Sequence, residues 1–142
     1  MSARILVIED NAANLELMTY LLEALGHKTL IARNGEEGLQ AAYQNTADLI
    51  ICDIELPKVN GYEVARQLKL HPDLRKIPLV AVTAYAMVDD REKVLSVGFD
   101  GYISKPIEPE LFVGQVEAFL NSGNESRRSE ERRVGKECRS RW

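Results

Sequence analysis

Acidic, hydroxyl and basic side chains follow four apolar runs in this sequence, at the point where each run ends. Glu9 and Asp10 come after ILVI, and Asp53 comes after LIIC. Thr83 comes after LVAV, and Lys105 follows a Tyr-Ile-Ser segment. Carboxylates held close together repel one another, so their charged forms require a cation. Hard oxygen ligands in a small open site suit Mg²⁺, which also binds substrate phosphate oxygens. The residue types therefore indicate magnesium-dependent chemistry on a phosphoryl group.

The same set is suited to phosphoryl transfer onto one of its own carboxylates. A carboxylate can attack phosphorus as a nucleophile and form an acyl phosphate. The transfer needs mainly positioning of the reactants and neutralisation of the phosphoryl oxygens, which a lysine and a hydroxyl can provide. We therefore predict a site that is equipped to phosphorylate one of its own aspartates.

The segments between these residues predict how the side chains meet. Residues 4 to 121 alternate between short aliphatic runs and stretches with helical spacing, in the order strand then helix, five times over. This order predicts a parallel sheet with right-handed crossovers and helices on both faces. Ligands of such a sheet bind outside the carboxyl ends of the strands, so the four groups should share one edge. The predicted strands are 5–8, 29–32, 49–52, 79–82 and 102–103.

Glycine, asparagine and proline mark the predicted helix ends. The first helix stops at Gly26, and the second opens at Asn34-Gly35. Asn60-Gly61 precedes the third, which ends near His71-Pro72. The fourth covers about 88–97 and stops at Gly98, and the fifth begins after Pro109. We interpret Gly35, Gly61 and Gly98 as turn and cap glycines.

Composition excludes several classes of protein. The chain has 142 residues, of which 45% are hydrophobic and 28% charged, as is ordinary for a globular protein. No apolar run approaches the roughly 18 residues of a membrane-spanning helix, and the N-terminus MSARILVIED lacks the features of a signal peptide. Two cysteines, Cys52 and Cys138, are too few for a disulfide scaffold. We expect a cytoplasmic domain that does not associate with membranes.

The end of the chain differs in charge from the rest. Residues 1–127 hold 12 basic and 19 acidic residues, a net of −7, whereas residues 128–142 hold 6 basic and 3 acidic residues, a net of +3. We expect one folded domain over residues 1–122 and a disordered tail over residues 123–142. A basic arm for nucleic acids or membrane surfaces would have a similar charge.

Residues 128–142 (RSEERRVGKECRSRW) also resemble the conceptual translation of a common sequencing-library adapter oligonucleotide. We hypothesise that the reading frame ran from the insert into the adapter, so that an output domain could have followed residue 127 in the natural protein. Coding DNA for this stretch that does not match the adapter would contradict the hypothesis.

Residues 4 to 122 resemble a response-regulator receiver domain, the phosphoacceptor of two-component signalling. The matching motifs are Glu9-Asp10-Asn11, DIELPKVNG from Asp53 to Gly61, Thr83-Ala84 and Lys105-Pro106. The resemblance implies a flavodoxin-like α/β fold of three layers, with a doubly wound, five-stranded parallel sheet in the order 2-1-3-4-5. One small departure is Leu56, which stands where methionine is usual.

The resemblance also implies the roles of the site residues. Asp53 would be phosphorylated. Mg²⁺ would be bound by Glu9, Asp10, Asp53 and the backbone carbonyl of Glu55. Thr83 would hydrogen-bond the phosphoryl group.

Two further residues complete the implied site. Lys105 would pair with the phosphoryl group, and its peptide bond to Pro106 would be cis. Tyr102 would be the aromatic switch residue, which swings inward when Thr83 moves toward the phosphate.

The resemblance implies a signalling switch rather than a turnover enzyme. A sensor histidine kinase or a histidine phosphotransfer protein would donate the phosphoryl group, and the domain would take part in its own phosphorylation and dephosphorylation. The fourth helix, fifth strand and fifth helix would then change their affinity for a downstream output protein. The domain itself would bind no nucleic acid.

Taken one at a time, the residues have ordinary structural explanations. Asp10 could cap a helix, Asp53 could lie in a turn, Thr83 could simply fit a strand, and Lys105 could be a solvated surface lysine. Tyr102 could be a half-buried aromatic at the sheet edge. The prediction rests on the occurrence of the carboxylates, the hydroxyl and the lysine together at four strand ends.

Two other classes of protein use a similar sheet. A phosphohydrolase of the haloacid dehalogenase type would need a DxDx[TV] pattern after the first strand, where Glu9-Asp10-Asn11 stands instead. A flavodoxin would need a loop rich in Ser, Thr and Gly at the same place.

Overall fold

A computed structural model describes residues 3–57, 59–84 and 88–121. Five parallel strands form one sheet in the order β2-β1-β3-β4-β5, which confirms the predicted topology. The predicted tail and Cys138 lie outside the described residues. The strands are β1 (Arg4–Ile8), β2 (Lys28–Ala32), β3 (Leu49–Asp53), β4 (Leu79–Thr83) and β5 (Gly101–Ser104), and the helices are α1 (Ala12–Ala24), α2 (Gly35–Gln44), α3 (Gly61–Leu70), α4 (Val88–Ser96) and α5 (109–121).

The sheet lies between two apolar cores. Side chains alternate along β1, so that Ile5 and Val7 face one core while Leu6 and Ile8 face the other. The first core contains residues of α1 and α5, and the second contains residues of α2, α3 and α4. Every residue of β3 and β4 is buried, which explains why these strands read as continuous apolar runs. Within the described part of the chain, no helix is long and apolar enough to cross a membrane.

The strand register brings the predicted site residues to one edge. Ile8 pairs with Cys52 across β1 and β3, so Glu9 and Asp53 follow at the same level. Asp53 pairs with Val82, and Thr83 pairs with Ser104. The ends of β1, β3, β4 and β5 therefore meet at the carboxyl edge of the sheet, where this topology places ligands.

Asparagine side chains fix where three helices begin. Asn11, Asn34 and Asn60 each accept a hydrogen bond from the backbone N–H three residues further on, at 2.9, 2.9 and 3.0 Å. The N-cap role considered for Asp10 is therefore wrong, because Asn11 caps α1. Gly26 and Gly98 have φ angles of +92° and +117°, which suits them to follow the ends of α1 and α4.

Gly61 is the first residue of α3 rather than the turn glycine that the sequence suggested. Its N–H donates to the carbonyl of Ile54 at 3.0 Å. A Cβ atom at this position would lie 2.5 Å from the carbonyl oxygen of Asp53 and 2.7 Å from the Cα of Ile54. Both contacts are with backbone atoms, so no side chain can move aside. The missing side chain lets α3 approach the segment that leaves β3 and so supports the position of Asp53.

We predict that Gly61→Ala lowers the free energy of unfolding by about 1–3 kcal/mol, the usual cost of overpacking. Gly114 is the matched control, since it is exposed on α5 and an added Cβ would meet nothing within 4 Å. Gly114→Ala should raise the free energy of unfolding by about 0.5–1 kcal/mol, because alanine is the better helix former. Urea unfolding measures both changes, and equal effects of the two substitutions would contradict the steric role of Gly61.

Candidate functional site

The carboxyl edge of the sheet brings together five of the predicted site residues, Glu9, Asp10, Asp53, Thr83 and Lys105. Glu9, Asp53 and Thr83 are buried, with exposed fractions of 0%, 1% and 3%. Asp10 is exposed beside them, and Lys105 is half-buried on the segment that follows β5. The site thus combines three buried polar side chains with an exposed aspartate and a half-buried lysine.

Three carboxylates form a compact group at this edge of the sheet. Glu9, Asp10 and Asp53 each offer one carboxylate oxygen, and these three atoms lie within 4.8 Å of one another. Such a set of hard oxygen atoms is the donor type that Mg²⁺ prefers. That the backbone carbonyl of Glu55 is a further ligand of the metal remains a prediction.

Both oxygens of Asp53 are held in place. Its Oδ2 accepts a hydrogen bond from Lys105 Nζ at 3.0 Å, and its Oδ1 accepts one from the backbone N–H of Glu55 at 3.0 Å. Lys105 Nζ also lies 3.7 Å from Oε2 of Glu9. Partial burial acts against the charged form of Lys105, but hydrogen bonding and charge from Asp53 outweigh it and raise the pKa of this lysine. The Asp53 carboxylate is therefore oriented and paired before any ligand arrives.

Glu9 shows most clearly where a further cation would fit. Its Oε2 accepts a hydrogen bond from the backbone N–H of Asn11 at 3.1 Å. Its other oxygen, Oε1, is buried and has no hydrogen-bond partner among the described residues. Burial and the neighbouring Asp53 carboxylate raise the pKa of Glu9 to about 8. A buried polar atom without a partner is costly, and a divalent cation would supply the missing interaction.

The side chain of Glu55 belongs to the site, which sequence reasoning missed. Thr83 Oγ1 donates a hydrogen bond to Glu55 Oε2 at 3.2 Å. Partial burial and the charge of Asp53 raise the pKa of Glu55. From the sequence, only the backbone carbonyl of this residue is expected at the site. One signal in the sequence could have identified this side chain. Glu55 is a further carboxylate only two residues after Asp53, on the segment that follows β3.

Tyr102 lies on β5, half-buried against the core formed with α2, α3 and α4. The guanidinium carbon of Arg91, on α4, lies 5.5 Å from the centre of its ring. This place at the edge of the sheet is compatible with the predicted switch role, which remains a prediction. The Lys105–Pro106 bond is cis, as expected.

Cys52 is a core residue next to the site. Its thiol is free and buried. Burial and the nearby Asp53 and Glu9 carboxylates raise its pKa. A thiol that resists ionisation is a poor nucleophile, and its burial in β3 gives Cys52 a place in the core.

We predict that Glu9→Gln stabilises the metal-free protein at about pH 8, because the amide is neutral and can donate a hydrogen bond to the Asp53 carboxylate. The expected gain is about 1–3 kcal/mol, the usual cost of a buried polar group left without a partner. The folded chain binds the Glu9 proton more tightly than the unfolded chain, because the pKa rises from 4.5 to about 8 on folding. The resulting stabilisation is fully present below pH 4.5 and is lost as the pH rises through about 8.

Urea unfolding in a metal chelator, at a series of pH values across that window, measures the difference. The profile of Glu9→Gln should be flatter than that of the wild type, and Glu16→Gln, on the exposed face of α1, should leave the profile unchanged. Identical slopes for wild type and Glu9→Gln would show that Glu9 is not the titrating group.

Comparison with known proteins agrees with this geometry. The chain matches the family model of the response regulator receiver domain over residues 5–117. The polar-differentiation response regulator DivK of Brucella anthropi is 42% identical over 120 residues, which cover 84% of this chain and 98% of that protein.

Solved receiver domains share the fold. The receiver domain of a signal transduction histidine kinase from Syntrophus aciditrophicus is 33% identical, with a TM-score of 0.77 and coverage of 84% of this chain and 91% of that one. The receiver domain of a sensor histidine kinase from Pseudomonas aeruginosa, solved with a magnesium ion coordinated in its active site cleft, is 27% identical, with a TM-score of 0.78 and coverage of 85% and 99%. The extent of the family match and the shared topology show that this chain belongs to the response-regulator receiver family of two-component signalling.

Proposed function

We propose that this chain is a phosphoacceptor switch in which Asp53 receives a phosphoryl group from a histidine kinase or a histidine phosphotransfer protein. The observation that carries the proposal is the contact of Lys105 Nζ with Asp53 Oδ2 at 3.0 Å, inside a group of clustered carboxylates. Receiver domains act as signalling switches rather than as enzymes on an outside substrate, and the arrangement around Asp53 provides a means of taking up one phosphoryl group.

The transfer exchanges one bond to phosphorus for another. A carboxylate oxygen of Asp53 bonds to phosphorus while the bond between phosphorus and the donor imidazole nitrogen breaks, and the imidazole takes up a proton. The Glu55 N–H orients Asp53 during this step. Lys105 lies where it can neutralise charge on the transferred oxygens. The hydroxyl of Thr83 would leave Glu55 and donate to the new phosphoryl group.

Magnesium fits the residues that surround Asp53. We propose that Glu9, Asp10, Asp53 and the carbonyl of Glu55 hold it. Support comes from the three grouped carboxylate oxygens and from the unpartnered Oε1 of Glu9 among the described residues. When bound, Mg²⁺ would neutralise negative charge on the carboxylates and on the phosphoryl oxygens.

The response to phosphorylation would appear on the face formed by α4, β5 and α5. Thr83 ends β4 and Tyr102 lies on β5, so movement of both side chains would alter this face. We propose that a downstream output protein binds there and that its affinity depends on phosphorylation. We further propose that the domain works in the cytoplasm and binds neither membranes nor nucleic acids itself, in keeping with the net charge of −7 over residues 1–127.

We predict that the wild type takes up about one equivalent of phosphoryl group from acetyl phosphate with Mg²⁺, and that Asp53→Asn takes up none, because an amide is a poor nucleophile. Asp73→Asn is the matched control, since Asp73 is exposed in the segment after α3. Intact-protein mass spectrometry measures the uptake. Labelling that survives Asp53→Asn, or steady turnover of a generic phosphatase substrate, would contradict the proposal.

We also predict that Lys105→Ala leaves Mg²⁺ binding largely intact, because the ammonium group is not a metal ligand. The substitution should uncouple phosphorylation from the change on the α4-β5-α5 face, because Asp53 loses its paired cation. Calorimetric titration with Mg²⁺ and amide NMR spectra before and after acetyl phosphate measure the two effects. Loss of Mg²⁺ binding in this variant would show that Lys105 has a different role.

A further inference from the structure

Most of the described side chains of α4, those of residues 91–96, are exposed. Of residues 91–96, only Val94 is buried. Two cation–π contacts supplement it. Lys93 Nζ lies 4.5 Å from the centre of the Tyr62 ring on α3, and the guanidinium carbon of Arg91 lies 5.5 Å from the centre of the Tyr102 ring on β5. Both distances fall within the roughly 6 Å over which such contacts attract.

The two contacts attach α4 to neighbours of different kinds. Tyr62 packs against the core from α3, and nothing in the proposed function moves it. Tyr102 also packs against that core, but it is the ring that would change position on phosphorylation. The Lys93 contact would therefore persist in both arrangements, whereas the Arg91 contact is made only while Tyr102 lies where it is seen here.

We propose that Arg91 is a positioning residue that holds the Tyr102 ring in the unphosphorylated arrangement and thereby sets the equilibrium of the switch. The inference rests on the proposed function of Asp53. A contact made in only one arrangement disfavours every ligand that requires the other, and the coupling is reciprocal. For a cation–π contact at an exposed site, the expected coupling is about two- to fivefold.

The test uses beryllium fluoride with Mg²⁺ as a stable phosphoryl probe, with affinity measured by NMR titration. Arg91→Met keeps an aliphatic side chain of similar length and removes the charge, so it should bind the probe about two- to fivefold more tightly. In the free variant, the Tyr102 ring signals should move toward their positions in the bound wild type. Arg91→Lys keeps a cation and should stay closer to the wild type.

Lys93→Met is the matched control, since it removes the other cation–π contact of α4 without touching Tyr102. It should leave the affinity for the probe unchanged. Tyr102→Leu supplies the second arm, because Arg91→Met should have no further effect on affinity once the aromatic ring is absent.

The outcomes separate the two proposals. A wild type that binds no beryllium fluoride in the presence of Mg²⁺ contradicts the proposed function and the role of Arg91 with it. If the wild type binds the probe but Arg91→Met binds it equally well, or if Arg91→Met gives the same gain in the Tyr102→Leu background, only the role of Arg91 is overturned.

Discussion

Repulsion among carboxylates at one edge of a parallel sheet is the constraint on which this structure depends. Glu9, Asp10 and Asp53 bring three oxygens within 4.8 Å of one another, and Lys105 contacts two of these carboxylates. One ammonium group leaves the cluster negative, and burial together with the Asp53 carboxylate disfavours the charged form of Glu9 and raises its pKa to about 8. The fully buried strands β3 and β4 hold the site in place, and a divalent cation would relieve the repulsion.

Much of the site was predictable because its signals are local. The groups that follow strands, the asparagines that begin α2 and α3, and the glycines after α1 and α4 are each visible within a few residues of sequence. Parallel topology then brings the strand ends together without any knowledge of distances. The same local signals could not choose between Asp10 and Asn11 as the N-cap of α1, because both residue types serve equally well.

The missed features depend on contacts between residues far apart in the chain. The hydrogen bond from Thr83 to Glu55 and the placement of Arg91 over Tyr102 arise only when separate elements pack. The steric role of Gly61 depends on how closely α3 approaches the end of β3. The elements of the domain also differ in burial. Every residue of β3 and β4 is buried, whereas Val94 alone is buried among residues 91–96 of α4. A site held by buried strands beside an exposed stretch of helix is the arrangement expected of a switch.

Chemical trapping of the acyl phosphate tests the central claim most directly. Borohydride reduces an aspartyl phosphate to homoserine, so protein treated with acetyl phosphate and Mg²⁺ can be reduced, digested and sequenced by mass spectrometry. If Asp53 is the Mg²⁺-dependent phosphoacceptor, we expect homoserine at position 53 alone, and none when Mg²⁺ is removed by a chelator. Homoserine at position 10, or equal conversion at position 53 without divalent cations, would contradict this assignment.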